Sequence, residues 1–291
     1  MGKPSFAIVG CGTLGMALGR LLFQAGYPVA GVASKSLSSA QRVAQELETE
    51  AFSTRPWEIT QKADLIFLTT PDDAVEPVCR AIAENGGFTP GSVVLHSSGA
   101  LSSEILDSAR EKGAFAGSLH PMQSFAGARP GVNLFSGILV TVEGDPEALV
   151  PARQVAADLG AHHARVNPKA KALYHAAAVT ASNYLVTLLH MAFTFNEAAE
   201  ITPEQSLQGL YPLIQGTLSN IREKGIPMAL TGPIARGDVS TVERHLAEIE
   251  ALTPELLPLY KRLGAHTVPL AVKKGGLSEE TAKRLAELLK D

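Results

Sequence analysis

Lys171 and His175 lie four residues apart within a run of helix-forming residues, and both types of side chain take part in proton transfer. On a helix this spacing places them on one face, about 6 Å apart along the axis. The pair can therefore contact one small molecule and supply a proton or a positive charge where negative charge develops. A lysine at the start of a helix can also be merely solvated, and for Lys171 that alternative stays open.

His120 and Ser98 are further candidates because each follows a predicted strand, Ala114–Leu119 and Ser92–Leu95 respectively. In parallel sheets, ligands bind outside the carboxyl ends of the strands. A lone histidine is usually structural, but a second histidine, His96, at the same kind of position favours a functional role for His120.

Two residues of the second half are candidates for holding a substrate. Arg236 lies in a glycine-rich loop, where it can bind a carboxylate through two hydrogen bonds or simply pair with Asp238. Asn183 lies roughly 80° around the helix from His175, so it is a weaker candidate for orienting a substrate or for packing.

The stretch from Phe6 to Gly15 joins a short apolar run to glycines with the spacing G-x-G-x-x-G, and helix formers follow. Gly10 permits a tight turn, Gly12 the approach of a pyrophosphate, and Gly15 close packing of helix on strand. Free amides at the helix start would meet the phosphates. We therefore expect a bound dinucleotide, with a glycine-rich turn that binds nothing as the alternative. The further residues assigned to this site are Thr13, Leu14, Thr70 and Pro71.

The residues after the second predicted strand bear on the type of dinucleotide. Sites for NAD usually carry an acidic residue there, whereas this chain has Ser34, Lys35 and Ser36. A lysine flanked by hydroxyls suits a 2′-phosphate, so we favour NADP over NAD. The alternative is an ordinary polar helix entry, with Ser38 capping a helix from Ala40 to Glu48.

Units of strand, loop and helix repeat through residues 1–165. They predict an α/β fold with a doubly wound parallel Rossmann sheet, whose last strand we place at Ile138–Val142. Residues 172–195 then contain no Asp, Glu, Lys or Arg. We expect a helix buried between protein layers rather than a membrane span, because His190 and other polar residues interrupt it.

Helix signals dominate the remaining sequence, so residues 166–291 are predicted to form an all-helical C-terminal domain for the substrate and for dimerisation. Capping boxes are expected to begin helices at Thr202 and Ser240, and further starts are expected at Asn167 and Ser278. Pro212 should kink or divide its helix.

The composition argues against several protein classes. With 291 residues and a net charge of −4, the chain has no general basic field for nucleic acid. Two cysteines are too few for a disulfide framework, and no secretory leader is recognisable, so we expect a cytoplasmic protein. We assign no metal site. The apolar surface of residues 172–195 predicts a homodimer through the helical domains, with burial against the chain's own Rossmann domain as the competing account.

Four motifs resemble those of a bacterial family of predicted oxidoreductases, which joins a Rossmann-like domain to a helical domain of unknown function. The resemblance runs over nearly the whole chain. Its motifs are His96-Ser97-Ser98-Gly99-Ala100-Leu101, Gly117-Ser118-Leu119-His120-Pro121-Met122, Tyr174-His175-Ala176-Ala177 and Gly232-Pro233-Ile234-Ala235-Arg236-Gly237-Asp238.

More distantly, the chain is similar to pyrroline-5-carboxylate reductase, prephenate dehydrogenase, ketopantoate reductase and the 3-hydroxyacid dehydrogenases. Similarity to prephenate dehydrogenases implies that His120 is an active-site histidine and, less securely, that Ser98 belongs to the site. Similarity to hydroxyacid dehydrogenases implies a catalytic role for Lys171, although His175 stands where that family has an amide side chain.

These observations predict an NADP-dependent oxidoreductase that transfers a hydride between nicotinamide and a small carboxylate-bearing carbonyl, imine or alcohol, with ketopantoate-like acids as one candidate substrate. Lys171 or His120 would neutralise the charge left on the heteroatom. The alternative is a non-catalytic dinucleotide-binding sensor or scaffold protein, which would not require Lys171, His175 and His120 to converge.

Overall fold

The structure is a computed structural model that describes residues 2–125 and 132–290. Its contacts divide the chain into two compact units, Met1–Ser182 and Asn183–Asp291. The first unit thus keeps the beginning of the uncharged helical stretch, whereas the sequence analysis starts the second domain at residue 166. The assignment of cofactor binding to the first domain and of substrate binding to the second stays a prediction.

The first unit is built on one eight-stranded sheet with the strand order β3-β2-β1-β4-β5-β6-β7-β8. The strands are β1 (Phe6–Val9), β2 (Val29–Ala33), β3 (Phe52–Ser53), β4 (Leu65–Leu68), β5 (Val93–His96), β6 (Phe115–Pro121), β7 (Leu139–Gly144) and β8 (His162–Arg165). All neighbouring strands run parallel except β6 and β7. The predicted parallel, doubly wound sheet is confirmed, with one antiparallel pair that was not predicted.

The central strands are apolar on both faces because helices cover both sides of the sheet. In β1, Phe6 and Ile8 join the apolar cluster on one face, while Ala7 and Val9 join the cluster on the other. At the far edge, β8 follows β7, so the expectation that β7 is the last strand is wrong. The side chains of β8 are mostly exposed and include two histidines, and its sequence therefore lacks an apolar run.

The antiparallel pair of β6 and β7 sets the register of several polar side chains. Ser118 lies opposite Glu143, and His120 lies opposite Thr141. Since alternate residues of a strand point to the same face, these four side chains share one face of the sheet. That face is where the candidate catalytic residues meet.

The helices of the first unit pack on the two faces of this sheet. They are α1 (Thr13–Gln24), α2 (Leu37–Glu46), α3 (Trp57–Thr60), α4 (Asp72–Glu84), α5 (Asp107–Arg110), α6 (Pro146–Asp158) and α7 (Lys171–Ala181), with 3₁₀ turns at Ser103–Leu106 and Pro168–Ala170. The helix predicted after β2 begins earlier than expected, because Ser36 rather than Ser38 accepts the hydrogen bond that caps α2. The predicted cap at Asn167 is confirmed, since its side chain accepts from the amide of Lys169.

The second unit consists of helices throughout residues 183–290. They are α8 (Asn183–Ala198), α9 (Pro203–Lys224), α10 (Ile226–Ala229), α11 (Pro233–Arg236), α12 (Val239–Leu252), α13 (Leu257–Lys274) and α14 (Glu279–Leu288), with a 3₁₀ turn at Pro254–Leu256. This confirms the predicted helical character. Its apolar cluster includes Val242, Leu246, Val268 and Leu285.

The helix starts of the second unit were predicted unevenly. The capping box at Thr202 and the cap at Ser278 are confirmed. The box at Ser240 is wrong, because Asp238 caps α12 by accepting from the amide and hydroxyl of Thr241. Pro212 does not divide α9, which runs unbroken through it.

The uncharged stretch forms two helices, α7 and α8, that meet at Ser182. The helical segment Pro168–Ala198 is long and apolar enough to cross a membrane by length and composition alone, with a mean hydropathy of 1.3. One such helix is weak evidence for a membrane. Only 6% of its most apolar window is buried, so the expectation of a helix covered by protein layers is wrong for the single chain.

Candidate active site

The glycine-rich turn after β1 leaves no room for side chains at two of its three glycines. Gly10 has a φ of +111°, and a Cβ there would lie 2.7 Å from the carbonyl carbon of Thr69. A Cβ on Gly15 would overlap the carbonyl oxygen of Gly10, which also accepts a hydrogen bond of 2.7 Å from the Thr69 hydroxyl. The turn is thus packed tightly against the chain that follows β4.

Gly12 is the exception, because open space surrounds the position where its Cβ would lie. It is the N-cap of α1, whose first turn contains no acidic residue. The amides of Thr13, Leu14 and Gly15 belong to that first turn and have no partner within the helix. Backbone donors facing open space at a helix N-terminus fit the pyrophosphate of a dinucleotide.

The predicted 2′-phosphate residues follow β2, beside this turn. Lys35 is exposed, Ser34 is partly exposed, and the Ser36 hydroxyl is already engaged in capping α2 and in contact with Ser38. Sequence reasoning missed Arg42 on α2. Burial raises the pKa of Cys11, which lies in the glycine turn, to about 11, and the positive charge of Arg42 opposes part of this rise. A second cation therefore lies near the turn.

Thr70 and Pro71 follow β4, the strand next to β1. The Thr70 amide lies 2.8 Å from the position of a Cβ on Gly10, which places this backbone against the glycine turn. Pro71 is exposed and immediately precedes α4. These positions suit contact with a dinucleotide, and the assignment of both residues stays a prediction.

Lys171 is buried, with 0% of its surface exposed. Its ammonium donates to Ser118 Oγ at 2.6 Å and to Glu143 Oε1 at 3.0 Å. Burial lowers the pKa of Lys171, while the adjacent Glu143 carboxylate opposes that shift. The solvated lysine considered from sequence is therefore not what the structure contains.

Glu143 was missed by sequence reasoning, yet it organises this cluster. Besides Lys171, its carboxylate accepts from the amide of Ser103 at 3.0 Å and from the Ser103 hydroxyl at 2.9 Å. Arg110 in turn donates to the Ser103 carbonyl and to the Asp145 carboxylate. A charged residue directly after the predicted strand Ile138–Val142 was the signal that could have drawn attention to it.

His120 lies at the end of β6 and contacts α7. Its Nδ1 is 2.9 Å from the hydroxyl of Tyr174, and the two rings meet edge to face with centroids 5.5 Å apart. Burial, and then the positive charges of Lys171 and His175, lower the pKa of His120 to about 4. His120 is therefore neutral at pH 7.

His175 on α7 also lies close to His120, with ring centroids 6.2 Å apart. Gly99, in the loop after β5, fits against both rings. A Cβ at this position would lie 2.7 Å from His120 Nε2 and 2.7 Å from His175 Cδ2. The structure thus brings two of the predicted catalytic residues together around a backbone that carries no side chain.

Ser98 holds the shape of this same loop. Its hydroxyl donates to Asp72 at 2.8 Å and accepts from the amides of Ala100 and Leu101 at 3.2 and 3.1 Å. Its own amide donates to Nδ1 of His96, a buried histidine whose pKa burial lowers to about 3. The hydrogen bonds of Ser98 therefore stabilise the loop, and His96 is neutral at pH 7.

The two predicted substrate-binding residues belong to the second unit. Arg236 is exposed at the end of α11 and Asn183 is exposed at the start of α8. The carboxylate of Asp238 accepts hydrogen bonds from Ser240 and Thr241 as the cap of α12. Among the described residues, no group of three or more His, Cys, Asp or Glu side chains is placed to hold a metal ion.

Comparison with family models also gives two parts, but the second match begins within the first compact unit. Residues 2–121 match a Rossmann-like domain, and residues 138–267 match a domain of unknown function (DUF2520). The combination inferred from the sequence motifs is confirmed. No curated protein matches the sequence.

Several solved structures share the fold over nearly the whole chain. A candidate NADP oxidoreductase from Bacteroides fragilis is 23% identical, with a TM-score of 0.72 over 90% of this chain and 96% of that one. A protein from Thermotoga maritima is 24% identical, with a TM-score of 0.71 over 97% and 98%. A reductive aminase from Aspergillus terreus in complex with NADPH and ethyl-5-oxohexanoate is 15% identical, with a TM-score of 0.61 over 99% and 92%.

Proposed function

We propose that this chain is an NADP-dependent oxidoreductase that transfers a hydride between nicotinamide and a small carboxylate-bearing carbonyl, imine or alcohol. The observation that carries the proposal is the convergence of His120 and His175 around Gly99. Gly99 and His120 lie at the carboxyl ends of β5 and β6, and the glycine turn lies at the carboxyl end of β1, which runs parallel to both. A sensor or scaffold that merely binds a dinucleotide needs no such cluster.

The choice of reaction class also draws on the proteins that share the fold. They include an imine reductase from Pseudomonas sp. and the Aspergillus terreus reductive aminase bound to NADPH with a keto ester. Carbonyl and imine compounds are therefore the first classes to test. Lys35, with Ser34 beside it and Arg42 near the glycine turn, supports NADPH over NADH.

A bound nicotinamide would supply or accept the hydride, and the protein would manage the accompanying proton. Lys171 and His120 are both candidates for that role. The environment favours His120, because it is partly exposed, whereas the Lys171 ammonium is sealed against Ser118 and Glu143. A neutral imidazole can accept a proton from an alcohol, and its protonated form can return one to a reduced product.

The remaining candidates would position the substrate. His175 faces the same loop as His120, so it can orient a substrate placed beside Gly99. We assign the substrate carboxylate to Arg236, with Asn183 as a weaker contact. Ser98 contributes by holding the loop rather than by offering a free hydroxyl. A homodimer in the cytoplasm, formed through the exposed apolar helices, completes the proposal.

A screen of small keto acids and imines with NADPH tests this function through the loss of absorbance of the reduced nicotinamide. With an accepted substrate, His120→Asn should lower turnover by about 10² to 10⁴, the usual contribution of a general acid or base. His162→Asn, which changes an exposed histidine of β8, is the matched control and should leave turnover unchanged. Equal rates for parent and His120→Asn would remove the assignment, and a chain that never binds NADPH would remove the function.

A further inference from the structure

Tyr174 contacts His120 and has no part in the function proposed above. It is partly buried on α7, and its hydroxyl lies 2.9 Å from Nδ1 of His120. The other ring nitrogen, Nε2, faces the loop at Gly99. The tyrosine therefore contacts the histidine on the nitrogen that does not face the proposed substrate.

The position of Tyr174 is set by the fold and needs no ligand. Lys171 comes three residues earlier on the same helix and is fixed by its buried contacts with Ser118 and Glu143. Residues three apart lie on one side of a helix, so this anchor also fixes the direction of the Tyr174 side chain. Ser118 and His120 are alternate residues of β6 and share its face. One helix turn thus docks on one strand through two successive polar contacts.

A histidine that exchanges protons at Nε2 requires a defined partner at Nδ1. In its neutral form the ring carries one proton, and the hydrogen bond at one nitrogen decides which nitrogen holds it. If Nδ1 carries the proton and donates it to the Tyr174 oxygen, Nε2 presents a free lone pair to the substrate side. The same Nδ1–H bond persists when Nε2 is protonated, so the ring keeps its orientation through a catalytic cycle.

We propose that Tyr174 is a positioning residue that accepts a hydrogen bond from Nδ1–H of His120 and so holds Nε2 as the proton-exchanging atom. This inference rests on the proposed oxidoreductase function. In the oxidative direction, Nε2 would take the hydroxyl proton and become part of an imidazolium, and a bound oxidised nicotinamide would accept the hydride from the carbon that bore the hydroxyl. In the reductive direction, the reduced nicotinamide would supply the hydride to that carbon, and Nε2 of the imidazolium would give its proton to the heteroatom, which restores the neutral ring.

The tautomer of His120 can be read directly by nitrogen NMR of protein labelled with ¹⁵N-histidine, without any substrate. The chain has eight histidines, so His120→Asn identifies the signals of His120. We expect the parent protein at pH 7 to show the Nδ1–H form. Tyr174→Phe keeps the ring but removes the hydroxyl, and it should return His120 to the Nε2–H form that the histidine side chain favours in water. Tyr184→Phe, at an exposed tyrosine of α8, should leave the parent pattern unchanged.

The kinetic consequence separates this inference from the proposed function. With an accepted substrate, Tyr174→Phe should lower kcat by about ten- to a hundredfold, as for other partners that orient a functional histidine, and leave KM nearly unchanged. An Nε2–H tautomer in the parent protein, or an unchanged tautomer in Tyr174→Phe, overturns the inference. If instead no substrate is reduced although the tautomer behaves as expected, the proposed reaction fails and the pairing stands.

Discussion

Replacing Lys171 by methionine would remove a buried ammonium while keeping most of the side chain's volume. The ammonium lies 3.0 Å from Glu143 Oε1, and both side chains are almost completely buried. At an effective dielectric constant of about 20, unit charges at this distance attract by about 5 to 6 kcal/mol before desolvation is considered. Breaking a buried pair typically costs about 3 to 5 kcal/mol, because the remaining charge is left uncompensated.

Two further contacts bring the expected loss to the lower end of that range. Ser103 still donates its amide and hydroxyl to the Glu143 carboxylate after Lys171 is removed. We therefore expect Lys171→Met to lower the free energy of unfolding of the first unit by about 3 kcal/mol. With a urea dependence of about 2 kcal/mol per M, the midpoint should fall by roughly 1.5 M.

The assay can follow the first unit alone because the chain has a single tryptophan, Trp57, on α3. Urea titration followed by its fluorescence should show the shift for Lys171→Met. Lys169→Met, two residues earlier and exposed, should behave like the parent protein. The variant Glu143→Leu and the double variant with Lys171→Met complete a cycle, in which the double variant should be less destabilised than the sum of the singles. An unchanged midpoint, or strictly additive losses, would refute a stabilising buried pair.

Three other properties can be tested on the same protein. Lys35→Asp should reverse or abolish the preference for NADPH, measured by titration with both nucleotides, and a parent protein that binds NADH at least as tightly contradicts the 2′-phosphate assignment. Light scattering at micromolar concentration should give a dimer mass, since α8 exposes large apolar side chains, and a monomer mass would exclude the interface. Thermal stability should fall as the pH drops from about 6.5 towards 4, because burial lowers the pKa of His120 to about 4 and that of His96 to about 3. In that range the unfolded chain binds more protons than the folded one, so a melting temperature independent of pH would contradict neutral buried histidines.

The parts of the fold that were predicted correctly are those specified by neighbouring residues. The strand, glycine turn and helix from Phe6 to Gln24 are encoded within one short stretch, and so is the capping box at Thr202. The strand β8 escaped prediction because its exposed residues carry no apolar pattern. Pro212 lies within a continuous helix although proline has no amide to donate to the helix interior, so its local preference did not decide the outcome.

Only the features of the candidate site that follow from local helix and strand patterns could be predicted from the sequence. The spacing of Lys171 and His175 correctly indicates a shared face, and His120 was expected at a strand end. The partners of these residues come from distant segments: Glu143 is 28 residues from Lys171, and Tyr174 is 54 residues from His120. The contacts of Lys171 with Ser118 and Glu143 depend on the antiparallel register of β6 and β7, which no local pattern contains. The burial of Lys171 therefore could not be predicted from the sequence alone.

Gly99 has no side chain and therefore fits against His120 and His175, two residues that lie far from it in the sequence. Any larger residue there would press on His120 and His175 at once, since a single methyl carbon would come within 2.7 Å of both rings. One of the two histidines would have to move or be replaced by a smaller residue before position 99 could accept a side chain. Across relatives of this protein, residues 99, 120 and 175 should consequently be inherited as a set, with a change at one position accompanied by a change at another.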